Sequence, residues 1–214
     1  MKKIPTLFER VYEDHKVKGV LPEFTDLKCA AAFYFGIPTI KFDGSCCAII
    51  DGKFYKRYDA KKGKPVPGNA IKCQELPDPI TGHMPCWVPV DQNNPADKWF
   101  IEAYTLAECE YESDDSDELP DGTYEAVGKH FQGDPYNYHV DTLIPHGSVV
   151  FDDFYPSIPC NACLTEDDCI EAMVYVSKFL KKHNAEGIVF WLNGEPVCKI
   201  KRTDFGLEWP IKEE

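Results

Sequence analysis

The clearest periodic signal in the chain lies between Thr165 and His183, where Ile170, Met173, Val174 and Phe179 or Leu180 recur at helical spacing. Thr165 is placed to cap that helix. Glu166, Asp167 and Asp168 suit the amino end of its dipole, and Lys181, Lys182 and His183 suit the other end. Directly after it, EGIVFWL, Asn193-Gly194 and EPVCKIKR predict a β-hairpin with a two-residue turn. Another hairpin, the first in chain order, is predicted from TIKFDGSCCAII, Asp51-Gly52 and KFYKRYD. DGTYEAVG reads as a further strand, with FQGDPYNY as a turn behind it. The first forty residues, with Pro22 and Pro38 around an apolar run from Leu27 to Ile37, suggest one or two helices. Residues 61–98 are rich in proline and read as loops with short strands or helical turns. WFIEAYTLAECEYE is assigned to a strand, and the acidic stretch at about 108–121 to a solvated loop. These elements sum to a single α+β domain over residues 1–214, dominated by antiparallel strands.

Charge changes this picture less than its total implies. Lys and Arg number 23 and Asp and Glu 36, giving −13, which at face value disfavours phosphate neutralisation. Eight of the carboxylates lie between Glu108 and Asp121, so the remainder of the chain carries only −5. Lys53 to Lys64 form a basic run able to hold RNA phosphates or to stand as a solvated turn. The ten cysteines are expected to be reduced thiols in the cytoplasm or nucleus, because MKKIPTLFERVYEDHK lacks the apolar run of a signal peptide. No stretch approaches the roughly 18 apolar residues of a membrane span. Cys160-x-x-Cys163 with Cys169 nearby has half a zinc spacing and no second pair, so free or buried thiols are favoured.

The hairpin at 186–201 has chemistry beyond its turn. With a regular two-residue loop, Ile188 faces Lys199 and Glu186 faces Lys201, and alternation puts Glu186, Lys199 and Lys201 on one face together with Phe190 and Val197. A cross-strand salt bridge on a wet face is the ordinary reading, and the neighbouring apolar residues favour a cleft floor instead. Lys41, ahead of Asp43-Gly44-Ser45, has a comparable place in the first hairpin.

In chain order, Lys41-Phe42-Asp43-Gly44, Glu125 within YEAVG, EGIVF at 186–190 and Lys199-Ile200-Lys201 resemble motifs I, III, IV and V of the covalent nucleotidyltransferases, the ATP-dependent ligases and capping enzymes. The wording of KFDGSCC, PCWVPVDQNN, GDPY, LIPHG, EGIVFW and GLEWPI is similar to the 5′-phosphate/3′-hydroxyl RNA ligase family called RNA ligase 1, from about residue 20 to 211. The resemblance implies a nucleotidyltransferase (ATP-grasp-like ligase) fold of antiparallel sheets with flanking helices. It makes Lys41 the nucleophile on the α-phosphate of ATP, with Lys199, Lys201 and Mg²⁺ or Mn²⁺ neutralising phosphate charge. It also implies that Glu125 binds the ribose hydroxyls, that Glu186 stands near the metal, and that RNA ends with a 5′-phosphate and a 3′-hydroxyl are the substrate. Two departures stand out. Cys46 occupies the place of the motif I arginine, for which Arg57 is the expected replacement, and the thirteen residues after Lys201 are too few for an OB domain with motif VI. His146 and Phe151 are the candidates for stacking on adenine. A DNA ligase, a GTP-using capping enzyme and a non-catalytic RNA- or nucleotide-binding module remain the alternatives.

Overall fold

In the computed structural model, which describes residues 3–14, 16–79, 81–112, 119–158 and 164–211, the amino-terminal segment is a hairpin and not the expected helix. Phe8–Glu13 (β1) pairs antiparallel with Lys16–Phe24 (β2). Pro22 would break a helix here but is tolerated in a two-stranded sheet. The predicted helix is confined to Leu27–Phe35 (α1). Asp26 accepts from the Cys29 N–H at 2.7 Å as its N-cap, and Cys29, Ala30, Ala32 and Phe33 are buried.

The first predicted hairpin divides at its motif. Ile37–Lys41 (β3) leaves the run after Lys41, while Ser45–Ile50 (β4), Asp51-Gly52 and Lys53–Ala60 (β5) form the hairpin proper. Lys41 is therefore on a separate strand, a correction to its placement in that hairpin. Ile71–Lys72 (β6) and Met84–Pro89 (β7) are the short strands of the proline-rich stretch.

WFIEAYTLAECEYE is not a strand: Lys98–Glu112 forms a helix, α2. Its apolar residues explain the correction. Trp99 or Phe100, Ala103 or Tyr104, and Ala107 repeat at three to four residues and pack on Cys47, Ile49, Tyr124, Ala126 and Leu143. The acidic stretch thus begins on the last turn of this helix, and its centre, 113–118, lies outside the described residues. Gly122–Val127 (β8) and Thr142–Pro145 (β9) complete a six-stranded sheet in the order β6-β7-β5-β4-β8-β9.

The second predicted helix is Glu166–Lys182 (α3), with the anticipated Thr165 cap and a reciprocal capping box to Asp168. Its buried face consists of Cys169, Ala172, Val176, Phe179 and Leu180. Ile170 and Val174 are exposed, so the apolar stripe is rotated from the expected one. Gly187–Leu192 (β10) and Glu195–Lys201 (β11) form the predicted hairpin, and β10 is central in the order β11-β10-β3.

Two compact units result. One contains residues 4–42 and 147–214, with β1–β3, α1, α3, β10 and β11 around a core that includes Phe33, Phe154, Phe179, Ile188, Phe190 and Ile200. The other, residues 1–3 and 43–146, holds the six-stranded sheet and α2. From Ile4 onward the chain passes from one unit to the other between Phe42 and Asp43 and returns between His146 and Gly147.

Candidate active site

The register of β10 with β11 departs from the regular hairpin. Leu192 faces Glu195 and Trp191 faces Pro196, but Phe190 faces Cys198, so Val197 is an extra residue in β11, a bulge. Beyond it Val189 faces Lys199, Ile188 faces Ile200 and Gly187 faces Lys201. Lys199 and Lys201 keep one face, as expected from alternation, whereas Phe190 is fully buried on the opposite, core-facing side. On the other edge of β10, Gly187 faces Lys41 and Ile188 faces Ile40. Two rows thus run across three strands: Ile40, Ile188 and Ile200 toward the core, and Lys41, Gly187 and Lys201 on the polar face.

Glu186 enters just ahead of β10. Its side chain is buried, one carboxylate oxygen accepting from Lys41 Nζ and the other from Lys201 Nζ. The glycine that follows is required by packing. A Cβ on Gly187 would lie 2.0 Å from the Ile200 carbonyl oxygen. Gly187→Ala is accordingly expected to push β10 off β11, lowering the melting temperature by several degrees, which thermal unfolding followed by circular dichroism will read.

Positive charge gathers around this carboxylate. Lys199 is near Lys41, Lys201 and Arg10, and burial first, then those three cations, lower its pKa to about 8, with Glu186 pulling the other way. Arg10 on β1 holds Asp204 with two bonds, Nε to Oδ1 at 2.9 Å and Nη2 to Oδ2 at 3.0 Å, and Asp204 also accepts from the Lys201 backbone N–H at 2.9 Å. Burial is the largest single influence and lowers the Arg10 pKa, but Asp204 and Tyr12 together outweigh it and raise the guanidinium pKa. Sequence reasoning missed both residues. Arg10 lies in the hairpin that was read as helix, and nothing local marks Asp204.

For a hard cation, the fit at this cluster is specific in kind. Asp204 is committed to Arg10 and both Glu186 oxygens are engaged by Lys41 and Lys201, so a cation here would meet Glu186 through water, and Mg²⁺ typically takes one or two carboxylates, several waters and substrate phosphates. The residues suit a metal arriving with phosphates and do not form an all-protein cage.

The other unit holds the remaining predicted residues. Cys46 faces Glu125 across β4 and β8. Glu125 Oε1 accepts from the Gly44 N–H at 3.1 Å, and Oε2 is 2.9 Å from His146 Nε2. His146 Nδ1 meets Thr123 Oγ1 at 2.9 Å. Gly44 is required by close approach, since a Cβ there would lie 2.1 Å from the Ala126 carbonyl oxygen. Asp43 donates its N–H to the Tyr136 hydroxyl at 2.6 Å.

Continuing the β4–β5 register from Cys47 and Lys56 sets Arg57 opposite Cys46, the place where the departure from motif I was noted. Arg57 Nε also donates to Asp59 at 2.9 Å. Burial, followed by Glu125, pushes the Cys46 thiol up to about 12, and Arg57 pulls it down.

Phe151 is placed in the core of the unit that carries Lys41, its ring 5.1 Å from that of Phe179 and its backbone N–H bonded to Pro38 O at 2.9 Å. His146 is engaged with Glu125 and Thr123. Within the basic run Lys56 is paired with buried Asp97, leaving Lys53, Lys61, Lys62 and Lys64 exposed. Cys169 is buried, while Cys160 and Cys163 lie outside the described residues.

A family model described as RNA ligase 1 matches residues 66–214 of the chain. Among curated proteins, RNA ligase 1 of Pongo abelii is 27% identical over 243 aligned positions, covering 86% of this chain and 71% of that protein. RNA ligase 1 of Rattus norvegicus is 25% identical over 244, again 86% and 71%. RNA ligase 1 of Danio rerio is 25% identical over 249, covering 88% and 71%.

Proposed function

We propose, for a chain that belongs to the RNA ligase 1 family, that it joins RNA 5′-phosphate and 3′-hydroxyl ends in an ATP-dependent reaction through a lysyl-AMP intermediate at Lys41. The observation that carries the reading is the cluster of Lys41, Lys199 and Lys201 around buried Glu186. Such a concentration of cations on one sheet face suits a polyphosphate, and three lysines exceed what a structural ion pair needs.

In the first step the neutral Lys41 amine attacks the α-phosphorus of ATP, a phosphoramidate forms, and pyrophosphate departs with the bond electrons. AMP then passes to an RNA 5′-phosphate as a 5′–5′ pyrophosphate, which frees the Lys41 amine. Finally the 3′-hydroxyl attacks the phosphorus of the RNA's own 5′-phosphate, the new phosphodiester forms, and AMP leaves with the electrons of the pyrophosphate bond. Lys199 and Lys201 compensate the phosphate charge in these displacements. Mg²⁺, or Mn²⁺, would be held by Glu186 through water and would supply further neutralisation of the phosphates. Glu125 is assigned to the ribose hydroxyls and Arg57 to a nucleotide contact, both supported by the resemblance of their motifs, and His146 is retained as the adenine neighbour in preference to core-buried Phe151. The chain is read as a nucleotidyltransferase domain over 1–214. Among the described residues no helix is long and apolar enough to cross a membrane, and a cytoplasmic or nuclear location is part of the proposal.

Incubation with α-labelled ATP and Mg²⁺ followed by denaturing electrophoresis is expected to leave label on the protein. Label from GTP but not ATP would favour a capping-type enzyme. No label from either would favour a binding module.

Polymer choice provides a second test. RNA presents 2′-hydroxyls and unstacked ends that a small surface can hold, whereas a nicked duplex of DNA presents mainly phosphates. Joining of RNA ends is expected to exceed joining of an otherwise identical DNA nick by at least roughly tenfold, about 1.4 kcal/mol, the worth of one or two hydrogen bonds. Equal rates would contradict RNA as the substrate while leaving the lysyl-AMP chemistry standing.

A further inference from the structure

The sheet face that carries Glu125 brings together a sulfur, oxygen and nitrogen donor set; two of its members, Glu125 and His146, are those assigned above to the nucleotide, so a metal ion and ATP are alternative occupants of this face. Cys46 on β4, Glu125 on β8 and His146 directly after β9 come from three adjacent strands, and their sulfur, oxygen and nitrogen atoms all lie within 4.8 Å of one another. We propose that Cys46, Glu125 and His146 form a binding site for a borderline-soft divalent cation, Zn²⁺ among the physiological ions, with a fourth position open to solvent or to an exogenous ligand.

Donor chemistry selects the ion. A thiolate, an imidazole and one carboxylate suit zinc, whereas Mg²⁺ prefers oxygen throughout. This site is therefore chemically distinct from the hard-ion position proposed at Glu186. Bond lengths of about 2.0–2.3 Å put tetrahedral ligand atoms roughly 3.3–3.8 Å apart, so closing the set around an ion needs about 1 Å of side-chain rotation. Strand pairing holds the three backbones in place meanwhile.

Two details of the surroundings support the assignment. The first is the partner behind the histidine. Thr123 Oγ1, 2.9 Å from His146 Nδ1, accepts a hydrogen bond from Nδ1–H when Nε2 is a ligand, the arrangement that fixes a metal-binding imidazole. The His146 backbone N–H also bonds Thr123 O at 2.9 Å, which ties the residue to β8. The second is the state of the sulfur. Among the described contacts the Cys46 thiol makes no hydrogen bond, whereas neighbouring Cys47 donates to Tyr124 O at 3.5 Å. Binding of a cation to the sulfur releases the thiol proton to solvent. All three residues are half-buried, which leaves a route of entry.

The test uses the full chain stripped of metal by a chelator and titrated with Co²⁺ and then Zn²⁺, without ATP or RNA, so its result is separate from the success of the ligase reading. Wild type is expected to bind Co²⁺ with a thiolate-to-cobalt charge-transfer absorption that Zn²⁺ abolishes by displacement. Cys46→Ser and His146→Asn should each weaken Zn²⁺ binding by at least roughly 100-fold, Cys46→Ser also removing the charge-transfer band, and Thr123→Val should weaken binding roughly tenfold. Cys73→Ser, which alters a neighbouring thiol outside the set, should leave the band unchanged. If Cys46→Ser fails to fold by circular dichroism, Thr123→Val and Cys73→Ser carry the distinction. No band in wild type, a band retained by folded Cys46→Ser, or unchanged affinity in Thr123→Val would each overturn the site.

Discussion

Lys41→Ala and Lys41→Arg are both expected to reduce covalent labelling by α-labelled ATP to background. Alanine has no nucleophile, and a guanidinium stays protonated at any usable pH, so neither can form the phosphoramidate. The two variants differ in what they do to folding, and that difference gives the experiment its force. Lys41 ends β3 opposite Gly187, and its ammonium is one of two that satisfy buried Glu186. Alanine removes one of those partners, and leaving a buried carboxylate underpaired destabilises by about 1–3 kcal/mol. Arginine keeps the positive charge and so preserves most of that stability. A loss of label in both variants, with a lowered melting temperature only in Lys41→Ala, therefore separates nucleophile from structural cation. Label at wild-type level in either would remove Lys41 from the chemistry.

Where sequence and structure agree, short-range rules were sufficient. Thr165 with Asp168 marks the start of α3 by capping chemistry alone, and Asn193-Gly194 marks a turn because both residues adopt positive φ. Where they disagree, a longer-range partner decides. Residues 98–112 have a β-like share of aromatic residues, and the helical spacing of Trp99, Ala103 and Ala107 outweighs it because those residues fill a groove on strands β4, β8 and β9. The Val197 bulge is equally silent in sequence, and it alone shifts Lys199 from facing Ile188 to facing Val189. That shift sends Phe190 to the core and leaves the lysines on the other face. The grouping of Glu186 with Lys41 and Lys201 was legible through motif order. The presence of Arg10 and Asp204 beside them was not, because their pairing spans nearly the whole chain.

Lys199→Met is expected to slow self-adenylation by at least roughly 100-fold, the scale of losing one preorganised charge on a transferring phosphoryl group, without loss of stability near neutral pH. Both halves follow from where the lysine sits. Burial and the charges of Lys41, Lys201 and Arg10 bring its pKa down from 10.5 to about 8 in the folded chain. Between about pH 8 and 10.5 the unfolded chain therefore binds a proton that the folded one does not, and wild-type stability rises with pH across that window and is level below it. At pH 7 the ammonium is a net burden on folding, so methionine, of similar length and uncharged, should match or exceed wild type in melting temperature, with the gap closing as pH rises through the window. Activity runs the opposite way. The charged form is the useful one, so kcat/KM for adenylation, which reports the free enzyme, should fall as pH rises through about 8. Lys199→Arg should carry that alkaline limb to higher pH, because its guanidinium remains protonated. Rate profiles of wild type and Lys199→Arg over pH 6.5–9.5, set beside thermal unfolding of Lys199→Met, check each part. An activity loss in Lys199→Met matched by an equal loss of stability would assign this lysine to a salt bridge on a wet face and not to the phosphates.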